Sequence, residues 1–314
     1  ISLFEGTPHA IPVLCTGSFL CVNDTVNFLK RRETMRFFKI KIGLFWPMLF
    51  LFSTVFFMCN TTFAEETTWN AIKNRGTLRI GVVNTPPWFL KDPSTRKWSG
   101  LGYYIGKEMA DALNVKLDPV EVQWGTSVPA LQANKIDLML FLDSTPQRAK
   151  AVAFPTVPVV DIPLAVLHQN KIKAESWKDL NKSGVTVAVP QGTSMDAFIT
   201  KRLTKAEILR FPSNAESVAA FQSGRSNVVC MFLPPLVKLQ KKIGRGTITL
   251  PKPAHSSSAT VALRYETDKR FFDWVSSSIF YWYNTGKIDD WFKKTLIELD
   301  IDPNEVPGVY RAKW

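Results

Sequence analysis

Arg148 is the side chain best equipped for recognition chemistry. It follows Thr145-Pro146, the start of a short helix, and its planar guanidinium offers two parallel N–H donors to a carboxylate. Thr193 and Ser194 fall between an expected strand and an expected helix. Hydroxyls at a helix start, with the unpaired backbone N–H groups there, make an anion site, and the same hydroxyls can equally cap the helix. Asp143 is the one carboxylate the pattern brings to this region; it can cap the helix opening near Thr145 or balance Arg148.

Other chemistries lack their residues. Beyond residue 64 the chain has two histidines, His168 and His255, both near stretches expected to join two units, where a hinge or surface role is the default. No zinc-ligand cluster, Gly-rich phosphate loop or Ser/His/Asp grouping occurs, and no acid–base set for proton transfer is recognisable. No catalytic residue, metal or cofactor is therefore expected. Cys230, amid Val228, Val229 and Met231, reads as core, and with no other cysteine after residue 64 an internal disulfide is not expected. The chain carries 39 Lys and Arg against 27 Asp and Glu, and residues 65–314 carry 33 against 24. Apart from Lys238, Lys241, Lys242 and Arg245 the positive residues are scattered, which describes a solvated surface and not a nucleic-acid stripe.

Strand-like and helix-like stretches alternate, the signature of an α/β fold with largely parallel sheets. Residues 78–83 read as a first strand, followed by a loop with Pro86, Pro87 and Pro93. Leu101, Tyr104, Ile105, Met109 and Leu113 recur at helical spacing, with Lys107, Glu108 and Asp111 opposite. Residues 116–122 and 136–142 read as strands, the second apolar enough for burial on both faces, with a short helix at 127–134 between them. Residues 152–167 hold three prolines and suit an extended crossing. A second unit follows, with strands 185–189, 207–211 and 227–232 and helices 194–205 and 214–223, the latter with Asn214 as its N-cap. Residues 256–263 are extended again, and two helices end the protein. In the last, Asp289–Lys293 and Asp290–Lys294 are i,i+4 pairs, while Ile288, Trp291, Phe292 and Leu296 form the buried stripe.

A first unit interrupted by a complete second one needs two connections. The chain is therefore expected to form two α/β lobes joined by two hinge crossings, the first from residues 65–165 and 257–314 and the second from 166–256. Such lobes open and close around a cleft that the carboxyl ends of strands and several helix N-termini face.

The first 64 residues read differently. Met35 opens a stretch with Arg36, Lys39 and Lys41, an uncharged apolar run spans residues 42–59, and Thr62-Phe63-Ala64 puts small residues at the first and third places before Glu65. Residues 35–64 thus read as a secretory signal peptide; an uncleaved membrane anchor is the alternative, since the run just reaches the length of a short transmembrane helix. Residues 1–34 begin with Ile and precede that signal, so they are expected to be an upstream extension of the reading frame.

Several motifs stand in order along residues 68–300. Gly76-Thr77-Leu78-Arg79-Ile80-Gly81-Val82, Pro87-Trp88 and Trp98-Ser99-Gly100-Leu101-Gly102 open the series. Pro129-Ala130-Leu131-Gln132-Ala133-Asn134-Lys135-Ile136-Asp137 follows, then Thr145-Pro146-Gln147-Arg148-Ala149-Lys150 with Phe154, then Gln191-Gly192-Thr193-Ser194 and Ser223-Gly224-Arg225. Together they resemble bacterial solute-binding protein family 3, the polar amino-acid receptors of ABC transporters. The resemblance implies a periplasmic binding protein type II-like fold and a monomer in the periplasm. It further implies capture of an amino acid or related carboxylate-bearing small molecule, delivered to an inner-membrane ABC transporter permease.

By the same resemblance Arg148 grips the ligand α-carboxylate and Trp124 forms an aromatic wall. Trp88 and Phe141 are further candidates for that wall, with core packing as their alternative. Thr85 stands where many relatives carry an aromatic lid. Many relatives bind the α-ammonium through a second-lobe Asp after the Gly-Arg pair; here Gly224-Arg225 leads into Ser226, Asn227 and an apolar run through Phe232 and Leu233. Asp143, where relatives often have Ser or Thr, either takes over that role from the first lobe or serves locally. Two other functions suit the same fold: a periplasmic enzyme similar to cyclohexadienyl dehydratase, and a receptor that presents its ligand state to a membrane sensor.

Overall fold

The computed structural model describes residues 66–306. The expected upstream extension (1–34) and the signal peptide with its membrane-anchor alternative (35–64) lie outside the described residues. Among the described residues no helix is long and apolar enough to cross a membrane.

Thr67 caps α1 (Thr68–Arg75), accepting from the Asn70 N–H, and Gly76 ends it at φ 64°, in the left-handed region that favours glycine. The first lobe continues with β1 (Thr77–Val82), the antiparallel pair β2 (Leu90–Lys91) and β3 (Trp98–Ser99), α2 (Leu101–Ala112) and β4 (Lys116–Glu121). A 3-10 turn (Trp124–Thr126), α3 (Ser127–Gln132) and β5 (Leu138–Asp143) follow. β6 (Val160–His168) crosses to the second lobe, made of α4 (Trp177–Leu180), β7 (Thr186–Pro190), α5 (Ser194–Arg202), β8 (Glu207–Phe211), α6 (Asn214–Gln222), β9 (Val228–Phe232), α7 (Leu233–Ile243) and β10 (Thr247–Thr249). β11 (Ser256–Leu263) crosses back, and α8 (Arg270–Asn284) and α9 (Lys287–Glu298) complete the first lobe.

The strands run in the order β4-β1-β5-β11-β6-β9-β7-β8, with β10 on β6. β1 is parallel to β4 and β5, and β7 is parallel to β8 and β9. The crossings β6 and β11 are antiparallel to each other and to the strands beside them. They therefore stitch two parallel half-sheets into one, which the expectation of largely parallel sheets did not include.

Each half has its own core. Leu78, Ile80, Ile105, Met109, Leu138 and Phe292 belong to the first, and Leu167, Val187, Ile199, Phe221 and the fully buried Cys230 to the second. In α9, Ile288, Phe292 and Leu296 are buried as the helical stripe requires, and Lys293 pairs with Asp289 at 3.0 Å. Lys294 lies 4.5 Å from the centroid of the Tyr104 ring.

Three local features depart from the sequence reading. Helix α7 was not expected, yet Pro234 and Pro235 sit in its first turn, where proline's missing N–H has no intrahelical partner to lose. Ser213, not Asn214, caps α6, accepting from the Glu216 N–H. The third departure is in β5, which pairs with β11 through Met139 opposite Ala262 and Leu142 opposite Thr260. Leu140 and Phe141 thus share one partner position, a β-bulge. Phe141 takes φ 59°, a conformation that costs a bulky residue about 1–3 kcal/mol. Leu140 and Phe141 consequently join the same core cluster, while Met139 and Leu142 join another. A bulge of this kind re-aims the side chains at a strand's end, and this strand ends at Asp143.

Candidate functional site

The parallel strands of both lobes deliver their carboxyl ends to one place. Thr85 and Trp88 follow β1, Trp124 follows β4, Asp143 ends β5, Thr193 follows β7 and starts α5, and Phe232 ends β9. Thr85, Trp88, Trp124, Asp143, Arg148, Thr193 and Ser194 all line one cavity there, with Phe141 beside them. The seven residues singled out in the sequence, drawn from both lobes, are therefore brought together.

Arg148 opens a 3-10 turn after β5, its backbone N–H donating to Thr145 Oγ1 at 3.3 Å. The side chain is 14 % exposed. Its Nη1 donates to the Asp143 carbonyl and its Nη2 to the Gly192 carbonyl, both at 3.2 Å. The nearer Asp143 carboxylate oxygen, Oδ2, is 4.0 Å from Nη1. Burial lowers the pKa of Arg148 and the charge of Asp143 opposes that shift; a guanidinium stays protonated through such a change. Its bonds to neutral carbonyls are long, which leaves it fit to take a stronger acceptor.

Asp143 does not cap the helix near Thr145: the Thr145 N–H donates to the Asp143 backbone carbonyl at 2.8 Å, not to the carboxylate. Oδ2 accepts from Ser194 Oγ in the other lobe. Oδ1 is buried and has no hydrogen-bond partner, and the same holds for Thr85 Oγ1.

Thr193 uses its hydroxyl locally, donating to the Pro190 carbonyl at 2.8 Å and accepting from the Asp196 N–H at 3.1 Å. It is the α5 cap, while Ser194 bridges the lobes. Trp88 is 3 % exposed and packs on Phe141 (4.9 Å) and Phe292 (6.0 Å). Wall and core are therefore not exclusive roles for Trp88 and Phe141: each is buried in the first core and presents part of its ring to the cavity.

The sequence reading missed the rest of the lining. Ile162, Met231, Phe232 and Pro235 form an apolar wall, and Asn214 stands beside it. Asn214 Oδ1 accepts from Trp124 Nε1 at 3.1 Å, a contact between residues 90 apart that no local pattern announces. The absence of a second-lobe carboxylate after Gly224-Arg225 was the only signal available. In space, that stretch supplies Met231 and Phe232.

The lobes meet closely at the rim. A Cβ on Gly192, whose φ is +72°, would lie 3.0 Å from Gly125 Cα, and one on Gly125 would lie 3.2 Å from the Gln191 carbonyl oxygen. Asp137, at the opposite end of β5, is a structural clamp: it accepts from Arg75 Nη2 at 2.5 Å, Arg79 Nη2 at 2.6 Å and the Arg79 N–H at 2.8 Å. His168 is buried, with Nε2 3.0 Å from Thr249 Oγ1. His255 stacks on Phe198 with centroids 3.9 Å apart. Neither histidine lines the cavity.

Residues 78–296 match the family described as bacterial extracellular solute-binding proteins, family 3. The L-cystine-binding protein TcyJ of Escherichia coli (strain K12) is 22% identical over 205 residues, 65% of this chain and 76% of that protein. Among solved structures, the ancestral amino acid-binding protein AncCDT-1, a precursor of cyclohexadienyl dehydratase, is 29% identical with a TM-score of 0.66, covering 73% of this chain and 99% of that one. The solute receptor for L-cysteine of Neisseria gonorrhoeae is 25% identical with a TM-score of 0.68, covering 76% and 98%.

Proposed function

Because the chain belongs to family 3 of the bacterial extracellular solute-binding proteins, we propose that it captures an amino acid or a related carboxylate-bearing small molecule between its lobes and delivers it to an ABC importer in the inner membrane. The observation that carries this reading is Arg148: a largely buried guanidinium that lines the cavity and holds only long bonds to two carbonyls. A carboxylate entering the cavity offers it a shorter, charge-assisted pair. Residues 85, 88, 124, 143, 193 and 194 complete the binding site in this reading, and the protein acts as a monomer in the periplasm.

The reading is of a receptor and not of an enzyme. Asp143 is the one carboxyl group among the lining residues, and no histidine is among them, so proton transfer would have a single group to work with. The name of AncCDT-1 ties this fold to a dehydratase, which gives the enzyme a definite test: incubated metabolites recovered unchanged support the receptor, and a converted one refutes it.

Calorimetric titration against amino acids, polyamines and small organic acids tests the function directly. Truncating one partner of a buried charge pair costs about 2–5 kcal/mol, so Arg148→Ala is expected to weaken binding at least about thirtyfold. Unchanged affinity removes Arg148 from the site and the proposal with it.

A further inference from the structure

Resting on that functional reading, we propose that the first lobe carries its own cation subsite at Asp143 Oδ1, and that the guest is a compact α-amino zwitterion with an uncharged body. The observations begin with accounting for donors and acceptors. Asp143 is 6 % exposed and lines the cavity. Its Oδ2 is engaged by the Ser194 hydroxyl, whereas Oδ1 has no partner. A carboxylate oxygen only accepts, and buried polar atoms in folded proteins are very seldom left unpaired. Something carrying an N–H or O–H donor belongs opposite Oδ1. Thr85 Oγ1, buried at 4 % exposure and likewise without a partner, lines the same cavity.

The spacing of the charges narrows the guest. The Arg148 guanidinium and the Asp143 carboxylate approach to 4.0 Å (Nη1 to Oδ2), so a guest that meets both groups carries its opposite charges close together. An α-amino acid does so, with ammonium and carboxylate on one carbon. An ω-amino acid holds them several bonds apart.

The remaining walls set the body. Among the described residues, Arg148 and Asp143 are the only charged side chains lining the cavity, and their charges cancel. Trp88, Trp124, Phe141, Ile162, Met231 and Phe232 offer no counter-ion to a third charge. Burying an uncompensated ion is costly. The guest is therefore neutral overall, with an uncharged side chain.

The test compares L-alanine, L-cysteine, L-leucine and L-phenylalanine with L-arginine and L-glutamate by calorimetry on the purified protein. 4-Methylpentanoate, which is L-leucine without its amino group, and 4-aminobutyrate serve as probes of the amino group. At least one neutral amino acid is expected to bind at least about 100-fold more tightly than L-arginine or L-glutamate. L-Leucine is expected to exceed 4-methylpentanoate by at least about 30-fold. Asp143→Asn and Asp143→Ser should each shrink that preference to within about threefold, with circular dichroism and melting curves reporting that both variants fold.

Equal binding of L-leucine and 4-methylpentanoate by the unaltered protein overturns the subsite, as does a preference that survives in a folded Asp143 variant. A dibasic or acidic amino acid, or 4-aminobutyrate, as the tightest guest overturns the neutral zwitterion. These failures are distinct from failure of the functional reading, for which Arg148→Ala leaves affinity unchanged or no carboxylate-bearing guest binds at all; in that last outcome the subsite falls too.

Discussion

On the first lobe's side of the cleft stand Arg148, Asp143 and Thr85, backed by the rings of Trp88, Trp124 and Phe141. On the second lobe's side stand Met231, Phe232 and Pro235, with the Thr193 hydroxyl bonded within its own lobe; the polar groups that meet the first lobe are the Gly192 carbonyl, the Ser194 hydroxyl and the Asn214 amide. Each of those three is engaged by a first-lobe residue, namely Arg148, Asp143 and Trp124. The charged groups that line the cavity thus belong to one lobe, and polar groups of the other lobe bond to that lobe. Recognition and closure also draw on the same two side chains. A carboxylate that takes Arg148 competes with its long bond to the Gly192 carbonyl, whereas a cation at Asp143 Oδ1 leaves the Ser194 bond to Oδ2 in place.

This asymmetry predicts that damage to the first wall appears as lost folding stability as well as lost affinity, whereas damage to the second lobe's rim appears mainly as lost closure. The largest effect is expected at Phe141, which is 6 % exposed and packs on Trp88 and Phe89. Removing a buried ring costs about 3–5 kcal/mol, and Phe141→Ala leaves the strained φ of 59° in place. Urea unfolding should register a loss of that size, accompanied by weaker guest binding. Intact affinity in a destabilised variant would show that the guest does not rest on this ring.

Gly192 tests the other side. Gly192→Val puts a side chain 3.0 Å from the Gly125 backbone and at φ +72°, a conformation that alone costs an L-residue about 1–2 kcal/mol. Affinity is expected to fall by tenfold or more, a loss of about 1.4 kcal/mol or greater, with every first-lobe contact residue unchanged. Gly184→Ala is the matched control: its φ is +83°, yet a Cβ there meets nothing within 4 Å. It should lose stability and keep its affinity. Equal affinity losses in the two variants would mean that backbone strain, not the meeting of the lobes, explains the effect.

These contrasts were only partly legible in the sequence. β8 and β11 fall on the residues read as strands, 207–211 and 256–263, with Pro212 marking the end of the first and Pro251 and Pro253 preceding the second. The seven cavity residues were legible chiefly through the family resemblance of their motif segments, with the convergence of strand ends in an α/β fold as the physical reason they meet. The apolar second wall could not be chosen, since Met231 and Phe232 continue the pattern of a buried strand and nothing local separates a core face from a cavity face. The bulge was equally hidden. Such positions usually carry glycine, and a phenylalanine with φ 59° gives no composition signal. Pro234 and Pro235 concealed α7, because proline read alone breaks a helix but at the first turn begins one.

Trp124 and Asn214 offer a milder test of closure. Trp124→Phe keeps a ring and removes the Nε1–H that Asn214 Oδ1 accepts. A bond of this kind contributes about 0.5–1.5 kcal/mol, so affinity should fall roughly twofold to tenfold. Asn214→Ala should cost a similar amount, and the double variant little more than either single one, since both remove the same contact. Additive losses would place the two residues in separate roles.

The smallest expected effect concerns how far the first lobe's charge reaches. His255 stacks on Phe198 of α5, and its pKa lies below the usual 6.5, first because of burial and then because of Arg202, with Asp143 pulling it upward. A histidine depressed in the folded state contributes stability that is complete above its unfolded pKa of about 6.5 and is lost as pH falls through the folded value. The unaltered protein should therefore lose melting temperature between pH 7.5 and 5.5 by more than His255→Gln does, and the difference should be small because the ring is only partly buried. Asp143→Asn removes the negative charge that raises the His255 pKa, so a proton NMR titration should find it lower still in that variant. An ammonium arriving at Asp143 neutralises the same charge and should move His255 in the same direction, which makes the histidine a reporter of where the guest's cation sits. A guest that leaves the His255 titration unmoved, while binding through Arg148, would place its cation away from Asp143.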